Sequence, residues 1–351
     1  MRAPAGLHLE YVSPAAGLGA RWGDVLGVAT FNGSPSGSAL SPAQEIPIAR
    51  VSTPVLVAPQ VVEVWRAGAP TASGRHQRVS FRRTADMLFG CIAITESEVA
   101  PPPAHRAGPA HSALHEATAQ AYGEIFATLD AENCPHLLRV WNYLPDINGA
   151  AGGTERYRQF NTARQQALRR SGRALSGSVP AASALGAASD SPLVVYFLAG
   201  RTAPQFVENP RQVSTYHYPR QYGTHSPSFS RAALLRQTTS LTLFVSGTSS
   251  IVGHRSVHEG DTAAQTRETL ANIDALLAEA NRLARGTHFS RHELACKVYV
   301  RRPQDLATVQ AELSGALGAN AQILYLQADI CRADLLVEIE ATAMAPLAGA
   351  A

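Results

Sequence analysis

Arg156, Arg158 and Arg164 lie close together in the block 139–168 (RVWNYLPDINGAAGGTERYRQFNTARQQAL), among Tyr, Gln and Asn. Burying so many planar donors beside apolar residues is costly unless a ligand or a network satisfies them. A guanidinium fork holds a carboxylate through paired hydrogen bonds. The guest that suits such a block is a small, planar, hydroxylated anion.

A second group lies near the C-terminus, where 337–340 reads VEIE. Strand alternation puts Glu338 and Glu340 on one face and Val337 and Ile339 on the other. Facing a closed cleft, a carboxyl is pushed up by desolvation and can act as a general acid. Facing water, the same pattern is only a solvated strand face. Cys331, beside Arg332, is by residue type a small buried hydrophobe.

The stretch STYHYPRQYGTHSPSFSRA (214–232) brings Tyr216, Tyr218, Arg220, Tyr222 and Arg231 into a Pro-bounded loop, where binding groups often lie. VSGTSSIVGH (245–254) leaves a strand through Gly247, and its small residues let backbone approach a ligand. It lacks the lysine and spacing of a P-loop, so a nucleotide is not expected. The twelve histidines form no metal-binding spacing, and no metal or cofactor is expected. Lys297, the only lysine, has two readings: a functional group, or a cation on a partly exposed strand edge.

The elements that must position these groups follow from periodicity. Strands are expected at 61–66, 87–95, 137–144, 193–198, 240–246, 294–301, 322–330 and 335–342. After a Pro-rich stretch at 100–110, Leu114, Ala117, Ala121, Ile125 and Leu129 share one face of a helix at 112–130. Further helices fit at 155–171, at 262–284 with Asp261 as N-cap, and at 303–316 with Pro303 in the first turn. Residues 1–60 read as strands with long turns, and 172–191 as a flexible connection or exposed loop.

The two halves repeat. HEATAQAYGEIFATL followed by LLRVWNY parallels GDTAAQTRETLANIDALL followed by LACKVYV, which pairs Arg139 and Trp141 with Lys297 and Tyr299. The expected fold is α+β, with mixed sheets covered by helices on one side, divided into 1–185 and 186–351.

At 351 residues two domains are the default. The chain is 45% hydrophobic and 16% charged, which describes a globular protein. A net charge of +3 and the absence of a basic run argue against nucleic acid. The longest apolar runs, such as 193–199, fall short of a membrane span. Cys91, Cys134, Cys296 and Cys331 are widely spaced, which fits a reducing cytoplasm.

RVWNYLPDIN followed by ERYRQFN resembles the chorismatase family, enzymes that remove pyruvate from chorismate. STYHYPRQYG, SPSFSRA, VSGTSSIVGH and ADICRADLLVEIEA (328–341) carry the same resemblance in the same order. The C-terminal half is also similar to the RidA/YjgF family, on Ser246–Gly247, Gly260–Asp261, Gln265, Leu270, Asn272 and VEIEA (337–341). These likenesses imply two RidA-like halves in one chain, enclosing a cleft like that between subunits of a trimer, so that a monomer suffices.

The resemblance implies a cofactor-free conversion of chorismate to 3-hydroxybenzoate and pyruvate, with Glu338 protonating the enolpyruvyl methylene. Within the family, cysteine at the position of Cys331 goes with 3-hydroxybenzoate, and alanine with simple hydrolysis. Chorismate has two carboxylates, and each needs a partner. Tyr157 and Arg164, seven apart on one helix stripe, could hold one. Tyr216 and Arg231 are the choice for the other, with Arg220 in reserve. The alternatives are hydrolysis to 3,4-dihydroxycyclohexa-1,5-dienoate, additional 4-hydroxybenzoate formation, a RidA-type imine deaminase, and a non-catalytic binder of aromatic acids.

Overall fold

The computed structural model describes residues 6–13, 22–32, 45–58, 61–99, 112–223, 225–318 and 321–347. The Pro-rich stretch at 100–110 lies outside the described residues. The chain opens with β1 (His8–Val12), β2 (Val25–Asn32), β3 (Ile48–Pro54) and β4 (Val62–Arg66). Then come β5 (Ala72–His76), β6 (Val79–Arg83), β7 (Met87–Ile94), α1 (Ala113–Ala131) and β8 (His136–Pro145). A two-residue hairpin, β9 (Ala150–Ala151) and β10 (Thr154–Glu155), leads into α2 (Arg156–Arg170), followed by β11 (Ala181–Ala187) and β12 (Leu193–Gly200).

The second half starts with β13 (Gln205–Val207), β14 (Ala232–Arg236) and β15 (Ser240–Ser249). The short β16 (Ile251–Val252) and β17 (Arg255–Ser256) precede α3 (Thr262–Ala284) and β18 (Ala295–Val300). The chain closes with α4 (Leu306–Leu317), β19 (Gln322–Gln327) and β20 (Val337–Pro346).

Two six-stranded sheets run β11-β8-β12-β7-β6-β5 and β13-β14-β15-β20-β18-β19. Read from opposite ends they correspond strand for strand: β8 with β18, β12 with β20, β7 with β15. Each has one parallel pair, β8–β11 or β18–β19, joined through α2 or α4. A parallel pair needs such a crossover. The repeat read in the sequence is the unit α1–β8 against α3–β18.

Local sequence explains the helices. Ser112 caps α1 by accepting from the His115 N–H, and Asp261 caps α3 by accepting from that of Ala264. The apolar face of α1, with α2, packs on Ile92, Val140 and Phe197 of the first sheet. On the second sheet, α3 and α4 cover Val245, Val298 and Ile339. Alternation then turns Trp141, Tyr143 and Tyr299 to the opposite face, into a core shared by both sheets.

A four-stranded sheet, β1-β4-β2-β3, adds Phe31, Val51 and Trp65 to that same core. Strands β1 to β4 thus form a third wall, so one polypeptide arranges three sheets around one centre.

Two expectations are corrected. The stretch 172–191 holds β11, whose Ala, Ser and Gly residues lack a hydrophobic pattern but let it lie close against β15. The Ala182 N–H donates to Ser246 Oγ (2.9 Å), and the Gly247 N–H donates to Ser183 Oγ (3.1 Å). The division at 185/186 would cut this strand; β11 and β12 both pair into the first sheet, and the sheets change over between Gly200 and Gln205.

Candidate active site

The site begins with an irregularity in β15. The pairing of β15 with β20 slips between Val245 and Thr248, at Ser246 and Gly247, and regains register with Ser249 opposite Glu338. Gly247 has no side chain at the point where the Glu338 carboxyl lies: a Cβ there would collide with Glu338 Oε1. Ser249 Oγ donates to Glu338 Oε2 at 3.3 Å. Glu338 faces inward and is buried. Burial, then the neighbouring Glu340 charge, pushes its carboxyl up to about 8. At neutral pH it holds a proton.

Around Glu338 lies a cavity of about 270 Å³. Helix α2 supplies Tyr157 and Arg158 to its wall, the loop before β14 supplies Tyr218, Tyr222, Phe229 and Arg231, and the loop before β20 supplies Cys331 and Arg332. A smaller recess of about 30 Å³ runs inward between Tyr157, Arg164, Ser183 and Glu338. Both halves of the chain line it.

Two buried arginines have donors to spare. Arg231 donates from Nη2 to the Val213 carbonyl (2.9 Å) and to the Tyr218 hydroxyl (2.7 Å), while its buried Nε makes no hydrogen bond to the described residues. The Arg164 guanidinium lies 5.2 Å from the Phe160 ring centroid, and its Nε is likewise buried and unpaired. Each guanidinium lines the space beside Glu338, Arg231 the cavity and Arg164 the recess, where a carboxylate can pair with it. At the mouth, Arg332 lies 4.1 Å from the centre of the Tyr222 ring and 5.3 Å from that of Tyr218, and donates to the His254 carbonyl (3.0 Å). Arg156 points elsewhere, to Glu96 and the Pro145 carbonyl.

Cys331 and Tyr157 flank the acid. Burial, then the Glu338 charge, pushes the Cys331 thiol up to about 12. Burial also pushes the Tyr157 hydroxyl well above its ordinary range. Both stay protonated at neutral pH, so Cys331 is a thiol here and not a thiolate nucleophile.

Of the residues singled out in the sequence, Glu338, Cys331, Tyr157 and Arg231 line one cavity, and Arg164 joins Glu338, Cys331 and Tyr157 at the inner recess. Tyr216 does not: its ring packs edge-on against His217, and Tyr218 and Tyr222 of the same loop take the wall instead. Arg220 is exposed and does not line the cavity. Sequence reasoning missed Ser183, hidden in a low-complexity run, and Phe229, a lone aromatic in a loop.

Lys297 is not on an exposed edge. It is 1% exposed on β18, pairing with Glu340 (2.8 Å) and Glu63 (2.7 Å) and donating to the Tyr196 hydroxyl (2.7 Å). Glu340 also takes Arg139 (2.7 Å), Trp141 Nε1 (2.6 Å) and Ser183 Oγ (2.6 Å). Burial alone would raise the Glu340 carboxyl, but Lys297 and Arg139 outweigh it and hold the group below the usual range.

Residues 63–199 match the family model described as Chorismatase FkbO/Hyg5-like, N-terminal. A 3-hydroxybenzoate synthase from Streptomyces hygroscopicus is 35% identical over 292 residues, spanning 80% of this chain and 81% of that protein. The chain belongs to the chorismatase family. A chorismatase from Streptomyces rapamycinicus is 37% identical over 288 residues, 79% of this chain and 80% of its own. The crystal structure of a chorismatase superposes with a TM-score of 0.83 at 31% identity, covering 97% of this chain and 98% of that one. The chorismatase fold therefore extends over the N-terminal sheet as well as the two repeated halves.

Proposed function

We propose that this chain converts chorismate to 3-hydroxybenzoate and pyruvate. The observation that carries the reading is Glu338: a buried carboxyl facing a cavity and inner recess whose walls hold Arg231 and Arg164, two buried arginines with unpaired Nε–H groups. Membership of the chorismatase family, with a relative named 3-hydroxybenzoate synthase, supports the same substrate.

Glu338 delivers its proton to the methylene carbon of the enolpyruvyl group. The C=C π pair forms the new C–H bond, and the ether oxygen shares the positive charge that develops on the adjacent carbon. The C4 hydroxyl oxygen then closes onto ring C3 as the bond from C3 to the ether oxygen breaks. The electron pair of that bond goes to the ether oxygen, releasing pyruvate, and the hydroxyl proton returns to the Glu338 carboxylate. Opening of the resulting epoxide at C4, a hydride shift from C3 to C4 and loss of a proton from C4 to the epoxide-derived C3 oxygen leave the hydroxyl on C3. Chorismate contains all the atoms of 3-hydroxybenzoate plus pyruvate, so the aromatising outcome needs no net water; the hydrolytic outcome consumes one. Cys331, a neutral thiol beside Glu338, biases the ring toward aromatisation. Arg164 with Tyr157 in the inner recess and Arg231 with Tyr218 nearer the mouth receive the two carboxylates.

A single chain suffices, because both halves line the cavity. The four cysteines are unpaired, which suits a reducing compartment. Glu338→Gln tests the reading: it should bind chorismate as before and release no pyruvate. A variant that retained turnover would remove Glu338 from the chemistry.

A further inference from the structure

We infer that Glu340 is a positioning residue for the acid chemistry, a fixed buried anion that keeps the Glu338 carboxyl protonated and is tied to the site through Ser183. This rests on the reading of Glu338 as the acid and extends it to a residue that does not line the cavity.

Charge balance carries the inference. Glu63 and Glu340 face Lys297, while Arg139 faces Glu340; all four are buried, and two anions meet two cations. The set spans all three sheets: Glu63 from β4, Arg139 from β8, and Lys297 with Glu340 from β18 and β20. Arg139 and Lys297 are the cations that occupy matching places in the internal repeat, and both pair with one carboxylate. Glu340 is thereby ionised in a dry interior.

Glu338 stands two residues away on the same face of the same strand, in no ion pair with the described residues. Ser249 from β15, Tyr157 from α2 and Cys331 from the loop before β20 face it as neutral groups. Arg139 and Arg231 are the positive charges that bear on it most, while Arg164 shares the recess and Arg158, Arg332, Glu155 and Asp334 line the cavity wall. Arg139 is committed to Glu340, and Arg231 is directed to Val213 and Tyr218. A third ionised carboxylate would unbalance the cluster, so the neutral acid is the favoured form.

Ser183 makes the link physical. Its hydroxyl donates to Glu340 Oε2 and accepts from Arg139 and from the Gly247 N–H. The glycine that makes room for Glu338 is thus pinned by the same hydroxyl that holds Glu340.

The test is the pH profile of kcat for the wild type, Glu340→Gln and Glu340→Asp. Glu340→Gln should move the basic limb to lower pH by about one unit or more, a loss of about tenfold above the limb with the low-pH plateau largely kept. Glu340→Asp, which keeps the charge, should hold the limb near the wild-type position. A Glu340→Gln profile scaled down equally at every pH would overturn the inference. A second measurement covers a variant that fails to fold: the infrared difference between wild type and Glu338→Gln. A carboxylic C=O band that persists at neutral pH supports the inference; one that vanishes in the ordinary carboxylate range overturns it. Turnover retained by Glu338→Gln would instead strike at the acid assignment itself.

Discussion

Gly247 and Glu338 share one volume: the missing side chain of the first is the space that the carboxyl of the second fills. The backbone at Gly247 lies outside the left-handed region, so glycine is needed for room and not for φ. Gly247→Ala should therefore fold, displace the carboxyl, and lower kcat by about 100-fold, the cost of misplacing a reacting group by about an ångström. Pyruvate release, with circular dichroism as the control for folding, measures it.

The proton on Glu338 has a consequence for stability. Its carboxyl is raised to about 8 in the folded chain, above its unfolded range, so the folded state binds the extra proton. The associated stability is complete below the unfolded carboxylate range and is lost as pH rises through about 8. Denaturant titrations of wild type and Glu338→Gln should show the wild type losing ground steadily across that window. A constant difference between them would mean that the carboxyl titrates normally.

Arg164 and Arg231 each offer a buried guanidinium with an unpaired Nε. Replacing either with Ala should cost about 2–5 kcal/mol in chorismate binding, the range for truncating a buried charged partner. Calorimetric titration into the Glu338→Gln background isolates binding from turnover. Arg220→Ala, at an exposed position outside the cavity, should leave affinity unchanged.

Lys297 answers both Glu63 and Glu340. Lys297→Met leaves two buried carboxylates short of a cation and should destabilise the fold by about 3–5 kcal/mol. Urea denaturation reads this directly. An unchanged midpoint would show that the cluster contributes nothing to stability.

Much of this was legible because regular elements carry a period. Alternation in VEIE put Glu338 and Glu340 on one face, though it did not say which way that face points, and β8, β12 and α3 fall within two residues of where their apolar patterns end. Pairing across long separations was not legible. Lys297 reads as an edge residue until Glu63, from a sheet far away in sequence, is seen beside it. The choice of Tyr216 over Tyr218 failed because the loop is built of short turns at Thr215–His217 and Arg220–Tyr222, which have no period to show which ring faces inward. Composition misled at β11, where small residues serve close packing against β15 and also resemble a linker.

Incubating the purified protein with chorismate, and quantifying pyruvate beside the aromatic products, tests the central claim most directly. The account predicts pyruvate and 3-hydroxybenzoate in equal amounts, with Cys331→Ala shifting the ring product to the diene diol. Chorismate left unconsumed would contradict it, and pyruvate accompanied only by the diene diol would contradict the role given to Cys331.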